Sequence, residues 1–184
     1  MDRKMWMGLF IAFIMVFSIF GFVVDFALQP SQKLKYGDYK FRVVDQRYIT
    51  KIDGQEHVFA FFPLDLEYIQ LTDDVKRLLA APVLTITYNP ESNLSQNFGE
   101  AQYYFELQLQ NKAVERAVTN NQGLDLPQKS CADATEQQPV IELQTGVASK
   151  ISAEGNCIVI TSLDAYDVYQ QVERIIYITL GVMS

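Results

Sequence analysis

The sequence predicts an α/β domain, with α+β topology also compatible, carried behind one N-terminal transmembrane helix. Three observations predict this. Residues 5–24 form an uncharged apolar run, and strand-like and helical patterns alternate from residue 39 to the end. The chain beyond the run is about 150 residues long, enough to bury one core, so it is expected to be a single mixed-sheet domain with about three helices.

The apolar run, MWMGLFIAFIMVFSIFGFVV, would span roughly 30 Å as a helix, the hydrocarbon thickness of a bilayer. Arg3 and Lys4 precede it, Asp25 follows it, and Trp6 stands where an indole suits the headgroup boundary. A cleaved signal peptide needs a shorter apolar region and small residues before the cut. Here Asp25-Phe26-Ala27 places an aspartate where a small residue belongs, so residues 1–27 read as an uncleaved signal anchor that contacts membrane lipid through residues 5–24. Arg3-Lys4 ahead of Gly8 also resembles a type IV pilin leader. The fifth position after that glycine is Phe13, where bacterial pilins usually carry glutamate.

Residues 28–38 read as a tether, and the domain then runs from 39 to 184. Residues 39–44 alternate Tyr39, Phe41 and Val43 against Lys40 and Arg42. Asp45-Gln46 turns the chain into residues 47–52, and Asp53-Gly54 is a hairpin signal into 57–62, giving an antiparallel meander. Thr72 is placed to cap a helix over 73–81, with Asp73 and Asp74 in its first turn and Pro82 as its stop. Residues 83–88 (VLTITY) read as an apolar strand, and 98–111 as a helix whose stripe is Phe98, Ala101, Phe105 and Leu109. Residues 113–118 fit either an extension of that helix or a strand. Residues 119–138 are loop-like, and 139–144, 147–151 and 157–161 read as strands separated by Gly146 and Gly155-Asn156. A last helix over 164–180, capped by Ser162 or Asp164, aligns Ala165, Val168, Val172, Ile175, Ile176 and Thr179 on one face.

Two features bear on which side of the membrane the domain occupies. Basic residues flank the anchor on both sides, and long domains translocate largely regardless of them. Cys131 and Cys157 are the only cysteines and lie in no metal-binding spacing, which suits one disulfide in an oxidising compartment. Such a bridge closes a loop of about 27 residues, worth about 3.5 kcal/mol in the chain-entropy treatment. Asn93-Leu94-Ser95 is a glycosylation sequon in a polar loop, so Asn93 is a candidate acceptor. Both place the domain outside the cytoplasm.

The chain carries 15 Lys plus Arg against 22 Asp plus Glu. Arg3, Lys4, Asp2 and Asp25 precede the tether, leaving 13 basic and 20 acidic residues in 28–184, so tether and domain together hold the whole net charge of −7. An acidic surface without a basic stripe excludes nucleic acid as an expected partner. His57 is the single histidine, expected to be partly exposed on its strand, and no two-histidine metal centre can be built. G-x-S-x-G, Walker and dinucleotide patterns are absent, so no catalytic, cofactor-binding or metal residue is assigned. Asp73-Asp74 and Asp164/Asp167 stand at helix starts, where capping accounts for them. Tyr103-Tyr104-Phe105 and Phe59, Phe61 and Phe62 are expected in the core, any exposed surplus marking a protein contact.

The segments CADATE (131–136), NCIVI (156–160) and RIIYITLGVM (174–183) resemble small uncharacterised single-pass membrane proteins of archaea. The resemblance implies a source and a topology. The expected function is a membrane-anchored extracytoplasmic binding or assembly module with a protein partner. A carboxylate-dependent envelope enzyme and a pilin-like filament subunit are the alternatives.

Overall fold

The structure is a computed structural model that describes residues 10, 13–18 and 33–184. The chain divides into two compact units, residues 1–33 and 34–184. In the first, residues 13–18 are helical. Among the described residues no helix is long and apolar enough to cross a membrane. Most of the predicted spanning segment, residues 5–24, lies outside them.

The second unit is a mixed α/β body with two sheets, which corrects the expected single mixed sheet. The first sheet is a meander in the order β1-β2-β3-β4: β1 (Lys33–Tyr36), β2 (Tyr39–Val44), β3 (Arg47–Ile52) and β4 (Gln55–Phe59). β1 comes from the stretch read as a tether. β2 and β3 pair antiparallel with Val44 opposite Arg47, and β3 and β4 with Ile52 opposite Gln55. Each loop therefore has two residues, and Asp45, Gln46, Asp53 and Gly54 all take positive φ, the geometry that matches strand twist. The meander joins the rest of the unit through its face and not an edge: Phe41, Ile52 and Phe59 pack into the main core. β4 also stops earlier than the alternation suggests. Past Phe59 the backbone N–H groups of Ala60 and Phe61 donate to the Glu173 carboxylate, not to a ladder.

The second sheet has the order β6-β5-β7-β9-β8. Its strands are β5 (Val83–Tyr88), β6 (Ala113–Arg116), β7 (Val140–Thr145), β8 (Lys150–Glu154) and β9 (Cys157–Ser162). β6, β5, β7 and β9 are parallel, and β8 is antiparallel at the edge. The undecided residues after Asn111 thus resolve as a strand. β8 starts three residues later than its predicted range, because it is positioned by pairing with β9 through the Gly155-Asn156 turn.

Three helices complete the unit: α1 (Asp73–Leu79), α2 (Ser95–Gln108) and α3 (Ala165–Thr179). Thr72 caps α1 by accepting from Val75 N–H, and Asp164 caps α3 by accepting from Asp167 N–H. Ser162, the other candidate cap, instead donates to Gln171 within the core. α3 ends in a Schellman arrangement, with Gly181 at φ 72° and the Val182 N–H bonded to the Tyr177 carbonyl. α3 is buried nearly all round because it touches both sheets. Gln171 donates to Thr161 of β9, while Tyr177 stacks on Phe59 of β4 with ring centroids 4.0 Å apart.

The two faces of the parallel sheet are covered differently. Leu84, Ile86, Ile141, Leu143, Ile158 and Ile160 join the helices in the main core. The alternate positions, Val140, Cys157 and Val159, pack with Cys131 and Ala134 of the long loop in a smaller cluster. That loop is tied down by polar contacts: Thr87 donates to the Lys129 carbonyl and Gln138 Nε2 to Thr85 and Glu115. The Cys131 and Cys157 sulfurs are 2.04 Å apart, at disulfide distance. So β5 leads through α2 on one face to β6, and the chain returns to β7 over the other face.

Candidate functional site

Where the connections leave β5 in opposite directions, an α/β sheet leaves a crevice beyond the carboxyl ends of its strands. Here it is a polar hollow of about 460 Å³ between the ends of β5 and β7, lined among others by Asn89, Asn93, Ser130, Glu142 and Thr145. Its polar groups bond mainly to one another. The Ser92 and Thr145 hydroxyls lie 2.6 Å apart, and Thr145 donates to Asn93 Oδ1. Glu142 accepts from the Cys131 N–H and from Gln144 Nε2. Asn93, the candidate glycosylation site, is exposed at this hollow, with Ser95 of its sequon opening α2. The two sulfurs and the Glu142 carboxylate lie within 4.8 Å of one another. Sulfurs joined to each other carry no thiolate charge for a metal.

The larger concavity is an open groove of about 990 Å³ formed by the β2–β3 turn, the segment after β4, α2 and α3. Five tyrosines line it: Tyr48, Tyr103, Tyr104, Tyr166 and Tyr169. Tyr103 and Tyr166 are 57% and 63% exposed, more than half of each ring's residue open to solvent, so they are not core aromatics. Phe61 meets Tyr166 edge to face at 5.2 Å, which fixes one wall. Among the described residues, Asp45, Asp65, Glu100 and Glu173 supply four carboxylates to the lining and Arg47 one cation.

Glu173 forms the floor. It is 3% exposed, and both oxygens are engaged: Oε1 accepts from Ala60 N–H at 2.7 Å and Oε2 from Phe61 N–H at 2.9 Å. The Tyr104 hydroxyl lies 3.1 Å from Oε1 and 2.8 Å from the Val58 carbonyl oxygen. Burial pushes the Glu173 carboxyl up to about 7, although the two N–H bonds, Tyr104 and the Arg47 charge oppose the rise. Burial beside Glu173 also raises the Tyr104 hydroxyl well above its ordinary value. Glu100, on the rim, is held below the ordinary glutamate range by its bond from the Tyr169 hydroxyl, with Gln96 assisting.

The structure separates the aromatic residues singled out in the sequence. Phe59 and Phe105 are core, Phe61, Phe62 and Tyr104 pack against the core, with Phe61 and Tyr104 also lining the groove, and Tyr103 lines the groove alone. His57 departs from its expected partial exposure. It is 5% exposed, and Nδ1 donates to Gln108 Oε1, whose amide nitrogen donates to the Val58 carbonyl. It is thus a structural link between β4 and α2. Asp164 is a cap, and Asp167 accepts from Ser149 and Leu163. Sequence reasoning missed Glu173, Glu100, Arg47, Tyr166 and Tyr169. The helical ones share a second stripe, Glu100, Tyr103, Tyr104 and Leu107 on α2 and Tyr166, Tyr169 and Glu173 on α3, each at spacings of three or four, whereas Arg47, which opens β3, carries no such signal.

No known protein family, curated protein or solved structure matches the chain.

Proposed function

We propose that this is a single-pass membrane protein whose residues 39–184 form an extracytoplasmic domain acting as a binding or assembly module for a protein partner. The observation that carries the binding role is the tyrosine-lined groove, a surface of exposed aromatic rings with hydroxyl tips. Three features support the placement. The uncharged run over residues 5–24 has spanning length, and its described residues, 10 and 13–18, are helical with Phe13, Ile14 and Phe17 exposed. Cys131 and Cys157 stand at disulfide distance. The exposed sequon at Asn93 is the third feature.

Membrane-impermeant thiol labelling of intact cells, before and after a membrane-impermeant reductant, tests the placement. Labelling of Cys131 only after reduction is expected, Cys157 being fully buried and labelled only once the reduced protein is denatured. Free thiols protected in intact cells would overturn the outer-face reading.

A carboxylate-dependent envelope enzyme is the second reading. One observation favours it: the groove holds one carboxyl raised to about 7, Glu173, and one lowered, Glu100, the division of roles an acid/base pair uses. Against it, both Glu173 oxygens are committed to the protein's own backbone donors. Turnover of an envelope glycan or peptide abolished by both E173Q and E100Q would replace the binding role by this one.

A further inference from the structure

Resting on the binding role just proposed, we propose that the groove between the β2–β3 turn, α2 and α3 is a docking site for a lysine- or arginine-bearing segment of a partner protein. The charges around it choose this occupant. Asp45, Asp65 and Glu100 are exposed on the rim. Among the described residues these three exposed carboxylates share the lining with a single cation, Arg47, so the rim is acidic on balance. Residues 28–184 carry the chain's net charge of −7, so a basic segment is also steered toward them from a distance.

The rings make the same choice. A guanidinium or ammonium group is attracted to the electron-rich face of an aromatic ring, more strongly where a carboxylate stands beside it. Tyr103 and Tyr166 offer the most exposed rings of the groove, one on α2 and one on α3, and Glu100 lies one helical turn before Tyr103. The hollow, about 990 Å³ and open, matches the top of the range that encloses small ligands, roughly 300–1,000 Å³, and has room for several side chains of an extended segment.

On the rim Gln46 sits at φ 61°, a left-handed value that a side-chain-bearing residue adopts with strain, at the turn position where the next hairpin has Gly54. A glycine in place of Gln46 would relax the turn but remove a side chain that lines the groove.

Calorimetric titration of the full-length chain in non-ionic detergent with acetylated hexa-arginine amide tests the inference. Acetylated hexa-asparagine amide and cellohexaose serve as uncharged probes. Hexa-arginine is expected to bind, with a dissociation constant that rises steeply with salt. Y103A/Y166A and D65N/E100Q should each weaken it about tenfold. D125N/E136Q, which removes the same charge at exposed positions outside the groove, should leave it within twofold. Equal weakening by both charge variants would show attraction by net charge alone and overturn the assignment. An uncharged probe that binds and is lost in Y103A/Y166A, with no hexa-arginine binding, overturns the cation and leaves the binding role standing. If no probe responds to any groove variant, both the occupant and the groove as a binding surface fall.

Discussion

Replacing Glu173 with glutamine should change how stability depends on pH, and the size of the change follows from the groove floor. The carboxyl is raised from an ordinary 4.5 to about 7, chiefly by burial. A carboxyl raised in the folded state keeps its proton between pH 4.5 and 7, where the unfolded chain has released it. Stability is therefore lost as pH rises through that window. At about 1.4 kcal/mol per unit, the loss between pH 4.5 and 7.5 is about 3 kcal/mol. Glutamine is close to the protonated acid in shape but does not titrate. Any constant offset, such as a glutamine nitrogen set against the Phe61 N–H, is the same at every pH. Urea denaturation of both full-length proteins in non-ionic detergent, followed by far-ultraviolet circular dichroism at steps from pH 4.5 to 7.5, gives the difference directly. Every other titrating group is shared and cancels. The E173Q chain should gain about 3 kcal/mol on the native sequence across this range. A flat difference would refute the reasoning, because it would mean that the Ala60 and Phe61 N–H bonds outweigh burial and the acid ionises normally.

Three further outcomes rest on other parts of the structure. The C131A/C157A chain should lose about 3.5 kcal/mol, because the bridge closes a loop of about 27 residues. Its urea midpoint should fall by about 2 M for a slope near ~2 kcal/mol/M, and equal midpoints would mean the staple adds nothing. A β-carbon on Gly146 would stand 2.2 Å from Thr161 Cγ2, so G146A should cost about 1–3 kcal/mol in thermal unfolding. T161S, which removes that methyl, should recover most of the loss, and an additive double variant would count against the clash. Q46G should raise thermal stability by about 0.5–1 kcal/mol by relieving a left-handed residue, and an unchanged midpoint would show that the turn carries no strain.

The local elements were largely legible, since each is written in a short pattern. Thr72 and Asp164 cap the helices that follow them. Asp45-Gln46 and Asp53-Gly54 make the two-residue turns. Phe98, Ala101 and Phe105 are the buried stripe of α2. The cysteine pair stands at disulfide distance, as an even pair outside any metal-binding spacing suggested. The errors were of partnership. Residues 33–36 alternate Lys33 and Lys35 against Leu34 and Tyr36, a pattern too short to stand out from a tether, and they become a strand where β2 offers an edge and the core receives the two apolar side chains. His57 is buried because Gln108, 51 residues away, accepts its ring proton.

The groove marks the same boundary. Composition and periodicity determined an acidic domain of alternating strands and helices behind an apolar run, because charge, caps and turns act over a few residues. Only the tertiary structure decided that there are two sheets and that α3 lies between them. It also brought Glu173 to the backbone of Ala60 and Phe61 across 113 and 112 residues of sequence. A helical stripe of tyrosines reads alike whether it faces a core or solvent. Which of the two it meets depends on how much of the neighbouring elements' surface the fold leaves uncovered, and no short stretch of chain contains that information.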